Sequence, residues 1–251
     1  MSKRSGQPWN KGRPVGARLA LAQTEISNIR RELGTLKSSH DLCLFMTAVD
    51  TMLRASDLLQ LRVRDVQHPD GSIRQTFPWK QKKTAKPVYP VLTAKAQAAL
   101  RRWISESGKR ETDYLFTREK LRTSKPISVG FYRTLIKSWV RLIGRPPHDY
   151  GAHSLRRSKA IFMYERGVAV EYISRLLGHS SPASTLHYLG ITEAETRKRA
   201  LQHDIFKRCK VSKTAAPFQF SETDLDHLGD VLWERLGPKL TNLLKNTEPN
   251  K

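Results

Sequence analysis

The run from His153 to Tyr188, HSLRRSKAIFMYERGVAVEYISRLLGHSSPASTLHY, admits few folds. Its periodicity is helical, yet it is broken inside thirty-six residues. Gly178 stands where a helix commonly ends in the left-handed conformation. Ser181-Pro182 then sets a capping serine before a proline at the first helical position. Short helices joined by tight turns are therefore predicted. His153 and Arg156 are three apart and share a helical face. Tyr188 falls about two turns into the helix that Ser181 opens. With His179, these side chains can meet in one pocket. The set suits a reaction at a phosphate: a guanidinium for charge, imidazoles for protons and hydrogen bonds, a phenol as nucleophile. Taken singly, each residue has a plainer reading as solvated helix face or core. The joint spacing carries the argument.

The rest of the chain supplies partners for that segment. Helical spacing of Ile26, Ile29 and Leu33 predicts a first helix with Thr24 as a possible cap. An apolar run from about His40 to Met52 predicts a buried second helix, which makes Cys43 a core residue. Ser56 is placed to cap a short helix carrying Leu58, Leu59 and Leu61. Arg54 precedes it in the joint, either paired with an acid such as Asp57 or aimed at an anion. Residues 72–92 change period and read as a β-hairpin around the lysine-rich turn KQKKTAK, with Pro78 and Pro90 marking edge strands. A strong helix with a Thr93 cap follows to Glu106. Leu115-Phe116 forms a short apolar anchor. Phe131 to Ile143 is an amphipathic helix with Leu135, Ile136, Trp139 and Leu142 inward. Arg133, Lys137 and Arg141 recur on another face, suited to a nucleic-acid groove or simply to solvent. Another helix is expected over 193–206. The fold class is mainly α with a small antiparallel β-hairpin (α+β).

Charge narrows the partners. Lysine and arginine total 45 against 23 acidic residues, a net charge of +22. Such an excess points first to a polyanion, although any electrostatic binder of nucleic acid shares it. The excess is confined to the body of the chain. From Val211 onward five basic residues meet six acidic ones. Residues 1–19 read as a basic flexible arm, able to lie along phosphates or to serve as a solubilising leader. The linker 207–220 precedes an amphipathic helical tail over 221–251, whose apolar face needs a partner. Cys43 and Cys209 make neither a disulfide framework nor a metal set, which fits a reducing cytosol. No apolar run approaches bilayer length, and the N-terminus lacks a signal peptide's apolar segment.

With Arg54, His153, Arg156, His179 and Tyr188 in order, the chain resembles the tyrosine recombinases, the phage-integrase family. LRASDLLQL (53–61) resembles the family's first arginine box, and QKKTAKPVYPV (81–91) its hairpin with a catalytic lysine. HSLRR (153–157) is similar to its His-x-x-Arg box, and LGHSSPASTLHY (177–188) to its closing histidine-to-tyrosine box. The resemblance covers residues 20–206 and implies one tyrosine recombinase catalytic domain. It implies a site-specific DNA recombinase that integrates, excises, inverts or resolves double-stranded DNA through a 3′-phosphotyrosyl intermediate. Tyr188 would attack. Arg54 and Arg156 would clamp the non-bridging oxygens, with His153 and His179 adding hydrogen bonds. Lys83 would protonate the leaving oxygen, with Lys82 and Lys86 as rivals. Asp57 would steady the region. Lys82, Lys86, Arg133, Lys137, Arg141 and Arg157 would touch DNA. No metal, cofactor or ATP is implied. The tail would dock on a neighbouring copy, and the protein would work on DNA in the cytoplasm, at the nucleoid. Two departures stand out: Met52 where the family often has glycine, and Arg157 where histidine is common. Only about 20 residues precede the resemblance, so a one-domain member without the family's usual separate helical domain is expected. Two other outcomes share these residues: relaxing supercoils or resolving hairpin ends by the same chemistry, and binding DNA without cleaving it.

Overall fold

A computed structural model describes residues 18–118, 124–191 and 193–202. The linker and tail expected from residue 207, and residues 1–17 of the expected arm, lie outside the described residues, as does Cys209. The first of the chain's two units, Met1–Arg197, carries the elements that build the candidate site.

The order is α1 (Gln23–Thr35), α2 (Ser39–Thr51), α3 (Ala55–Leu58), α4 (Val63–Val66), β1 (Trp79–Lys80), β2 (Pro87–Val88), α5 (Ala94–Ser107) and α6 (Val129–Leu142). A 3-10 turn at Pro147–Asp149 leads into α7 (Ala152–Glu165), α8 (Val170–Leu177), α9 (Pro182–Leu189) and α10 (Glu193–Gln202). The expected class, helices with one small antiparallel hairpin, is what forms. The strands are short, in register Trp79 to Val88 and Lys80 to Pro87, with a further bridge from Thr76 to Val91. No described helix is long and apolar enough to cross a membrane.

Helix α2 lies at the centre because it is apolar on most of its faces. It packs against α1, α5 and α7 and buries Cys43, Leu44, Phe45 and Ala48. Phe45 meets Trp139 of α6 edge-on at 5.6 Å, and Trp139 Nε1 donates to Asp41 Oδ2 at 3.0 Å. That bond and the ring contact fix the rotation of α6. As a result Tyr132, Ile136, Trp139 and Val140 point inward. Leu142, expected inward, is 41% exposed, and Leu135 is only partly buried. Leu115 and Phe116 are buried as expected, and Trp103 Nε1 donates to the Leu115 carbonyl.

A second, smaller cluster of Met52, Ala160, Ile173, Leu177 and Leu189 joins α7, α8 and α9 at one side. Here the local signals work as read. Gly178 ends α8 at φ +62°, and Ser181 caps α9 by accepting from the Ser184 amide. Elsewhere two expected caps are corrected. Helix α1 begins at Gln23, so Thr24 lies inside its first turn. Helix α3 begins at Ala55, with Arg54 rather than Ser56 at the cap. Thr93 does sit at the N-cap of α5, but its amide and hydroxyl both donate to Asp50 Oδ2 instead of closing the cap.

Candidate active site

Arg54 owes its place to two backbone features. Met52 ends α2 in the left-handed conformation at φ +49°, an uncommon state for a non-glycine residue. The chain then turns so that the Arg54 carbonyl accepts from the amides of Asp57 and Leu58 and starts α3. Among the described residues no acid pairs with the Arg54 side chain. Its Nη1 instead donates to Gln81 Oε1 at 2.5 Å.

Arg156 comes from the opposite side, on α7, and is only 3% exposed. Its Nη1 donates to the Met52 carbonyl and its Nη2 to the Leu177 carbonyl. Both are helix-end carbonyls that lack an intrahelical partner. Burial lowers its pKa to about 10, with Arg54 adding repulsion, so it remains a cation at neutral pH. Asp57, wholly buried, favours that charge and accepts the Lys82 amide on Oδ1 at 2.8 Å. Its Oδ2 is buried and has no hydrogen-bond partner among the described residues.

The hairpin turn is closed by Gln81 N–H to the Lys86 carbonyl and Ala85 N–H to the Gln81 carbonyl, with Ala85 at φ +53°. This fixes three exposed lysines in different directions. Lys83 lines a cavity of about 510 Å³ together with Arg54, Arg133, Lys137, His153 and Arg156. Lys86 lines a neighbouring groove with Tyr89, Arg175 and His179. Lys82 lines neither.

Tyr188 lies between the two histidines. Its ring meets His179 edge-on at 5.3 Å, and its hydroxyl lies 3.4 Å from the His153 carbonyl oxygen, to which it donates. The phenol's pKa is raised by burial, opposed by the cations Arg156, Arg157 and Arg54. His179 Nδ1 is hydrogen-bonded to Thr185 Oγ1 at 2.9 Å. Burial lowers its pKa to about 4, helped by Arg156 and Arg54. His153 is lowered too, first by loss of water and then by Arg156, Arg54, Arg133 and Lys83. Both imidazoles are thus neutral at pH 7.

The cavity wall is strongly one-signed. Arg18, Arg54, Lys83, Arg133, Lys137 and Arg156 line it, and among the described residues no carboxylate does. Among the described residues none of these six cations forms an ion pair. Such a concave surface binds a multiply anionic ligand. Arg133 and Lys137 therefore lie at the pocket, while Arg141 is exposed on α6 away from its lining. Arg157 turns elsewhere: its two Nη atoms donate to the carbonyls of Arg18 and Leu189, both at 3.2 Å, fastening α7 to the chain's entry and to the end of α9. Two residues escaped the sequence reading. Arg18, expected in the flexible arm, borders a held segment, because the Leu19 amide donates to the Asp149 carbonyl. Gln81 was noted only as part of a motif. No group of three His, Cys, Asp or Glu side chains among the described residues is arranged to hold a metal ion.

Residues 20–195 match the model of the phage integrase family. The chain is 33% identical over 164 residues to the probable integrase/recombinase YoeC of Bacillus subtilis, covering 64% of this chain and 83% of that one. It is 27% identical over 162 residues to the tyrosine recombinase XerA of Pyrococcus furiosus, of which it spans 54%. Among solved structures, a XerA recombinase aligns with a TM-score of 0.61 at 19% identity, over 76% of this chain and 66% of that one. XerH recombinase bound to a palindromic difH substrate, in a post-cleavage complex, aligns with a TM-score of 0.58 at 20% identity, over 74% and 53%.

Proposed function

The chain belongs to the phage integrase family, the tyrosine recombinases that cleave and rejoin DNA through a phosphotyrosine intermediate, and from that premise we propose that Tyr188 is its nucleophile. The Tyr188 oxygen bonds to the scissile phosphorus as the bond from phosphorus to the 5′-oxygen breaks. The phenolic proton passes to His153, and the 5′-oxygen takes a proton from Lys83. The products are a 3′-phosphotyrosyl link and a free 5′-hydroxyl. Reversal with a hydroxyl from another strand rejoins DNA without an external energy source.

The observation that carries this reading is the place of Tyr188, with its hydroxyl on the main-chain carbonyl of His153 and its phenol beside Arg156, two residues that themselves line an anion cavity in which no described carboxylate takes part. The phenol's raised pKa keeps it protonated at rest, so attack needs a proton acceptor. A neutral His153 is able to be one. Arg54 and Arg156 face the charge that builds on the non-bridging oxygens. His179, neutral and oriented by Thr185, acts as a hydrogen-bond donor to phosphate rather than as an acid. Arg133 and Lys137 hold flanking phosphates. The tail over 221–251 docks on a second copy assembled on the same DNA, and the protein acts at the nucleoid in the cytoplasm.

Covalent trapping tests the reading. Full-length protein is mixed with nicked duplexes made from DNA flanking its own gene and run on a denaturing gel. A covalent band from wild type, absent with Tyr188→Phe, is the expected result. Shifted but never covalent DNA would leave a binder in place of a recombinase. Deleting 212–251 is expected to weaken assembly on DNA; unchanged assembly overturns the role given to the tail.

A further inference from the structure

We propose that Gln81 is a positioning residue that holds Arg54, Arg156 and the Lys83 turn in one register; this deepens the reading of the site as a strand-cleaving centre and rests on it. The side chain is 1% exposed and does not line the cavity, so it does not reach the substrate. Its oxygen accepts from Arg54 Nη1 at 2.5 Å and from Thr84 Oγ1 at 2.8 Å. Its nitrogen donates to the Leu177 carbonyl at 3.0 Å, the same oxygen that Arg156 Nη2 uses at 2.6 Å. One amide and one carbonyl thus tie together the two guanidiniums and the turn that bears Lys83. A buried primary amide is costly unless its groups are matched, and here each matched partner belongs to the site.

The close approach at Gly178 supports the same assignment. A Cβ there would lie 2.6 Å and 2.7 Å from the two polar atoms of Gln81 and 2.7 Å from Val88 Cγ1. The left-handed turn after α8 therefore serves two needs, ending the helix and admitting the Gln81 amide to the Leu177 carbonyl. A carboxylate of the same shape at 81 would repel that carbonyl and neutralise Arg54. An apolar residue would leave both Arg54 and the carbonyl without this partner. Only a side chain with one acceptor and one donor end serves both.

The test uses full-length protein and a nicked duplex that wild type captures through Tyr188. Single-turnover cleavage is compared on three versions of the scissile linkage. These are the ordinary phosphodiester, a methylphosphonate that lacks one charged oxygen, and a 5′-bridging phosphorothiolate whose leaving thiolate needs no proton. Arg54→Ala and Lys83→Ala calibrate the two chemical signatures. Gln81→Ala is expected to slow phosphodiester cleavage about 10- to 100-fold, the scale of a misplacement of about 1 Å. Methylphosphonate or phosphorothiolate is expected to recover a good part of that loss, as with the calibrating variants, while DNA affinity stays near wild type. Gln81→Glu leaves no cavity, and with its fold checked by a urea midpoint it is expected to show the methylphosphonate signature. Equal slowing of both Gln81 variants on all three linkages would mark a merely structural role and overturn the proposal, as would cleavage at the wild-type rate. A wild-type protein that forms no Tyr188-dependent adduct overturns the strand-cleaving reading, and this inference with it.

Discussion

At the scale of single residues the site is governed by positive charge and missing water. His153 and His179 both have lowered pKa values, so a neutral imidazole persists below the usual 6.5. If His153 takes the phenolic proton, cleavage should hold as pH falls through 6.5 and decline only at lower pH. A rate–pH profile checks this, and His153→Asn should be slow and lack that inflection. The same shifts bear on stability. A group whose folded pKa is depressed favours the folded state above its unfolded pKa of 6.5. For His179 that advantage is lost between about 6.5 and about 4, and urea midpoints should fall over that window. Met52 gives a second prediction. Its left-handed backbone accounts for the glycine common at this place in the family, and its buried side chain gives a reason for keeping methionine. Met52→Gly trades roughly 1 kcal/mol of relieved backbone strain against a cavity worth about 2–5 kcal/mol. A net loss of about 1–4 kcal/mol in denaturant unfolding is expected.

At the scale of elements, the joints matter more than the helices. Asp50 sits near the end of α2 and fastens two others: Oδ2 accepts the Thr93 amide and hydroxyl at the start of α5, and Oδ1 pairs with Lys159 of α7 at 3.0 Å. Asp50→Ala should cost about 2–4 kcal/mol, because it leaves the partly buried Lys159 cation only the main-chain carbonyl of residue 50 and removes two further bonds. Chemical unfolding measures it. What was legible in the chain follows the range of the cause. The stop at Gly178 and the start at Ser181-Pro182 are dictated within three or four residues, and they form as expected. The hairpin turn is legible for the same reason. The rotation of α6 is set by Asp41, ninety-eight positions away from Trp139, so its inward face was misassigned at Leu142 while Tyr132 and Val140 went unread. Gln81 escaped because its meaning lies in Arg54 and Leu177, neither of which is near it in sequence. Arg157, next to a site arginine, reads as DNA-facing until its carbonyl partners on Arg18 and Leu189 are seen.

At the scale of the whole molecule, a net charge of +22 and a cavity lined by six described cations predict binding that is steeply salt-dependent. Arg133→Ala and Lys137→Ala should each reduce the slope of log affinity against log salt by roughly 1, if each meets one phosphate. Arg157→Ala should leave the slope largely intact and lower thermal stability instead. Titrations at several salt concentrations separate the two outcomes. The interior itself is divided, and the division falls inside the site. Arg54 and the hairpin lean on the large cluster around α2, whereas His179 and Tyr188 ride on helices whose buried contacts come mainly from the five residues of the smaller one. Regions with few buried contacts open at lower free energy. Amide hydrogens of α8 and α9 should therefore exchange with deuterium well before those of α2 and α5, and slow when duplex DNA is bound. The nucleophile would then spend part of its time on a loosened platform, and a partner that settles that platform would act as a brake release on strand cutting without touching the phosphate.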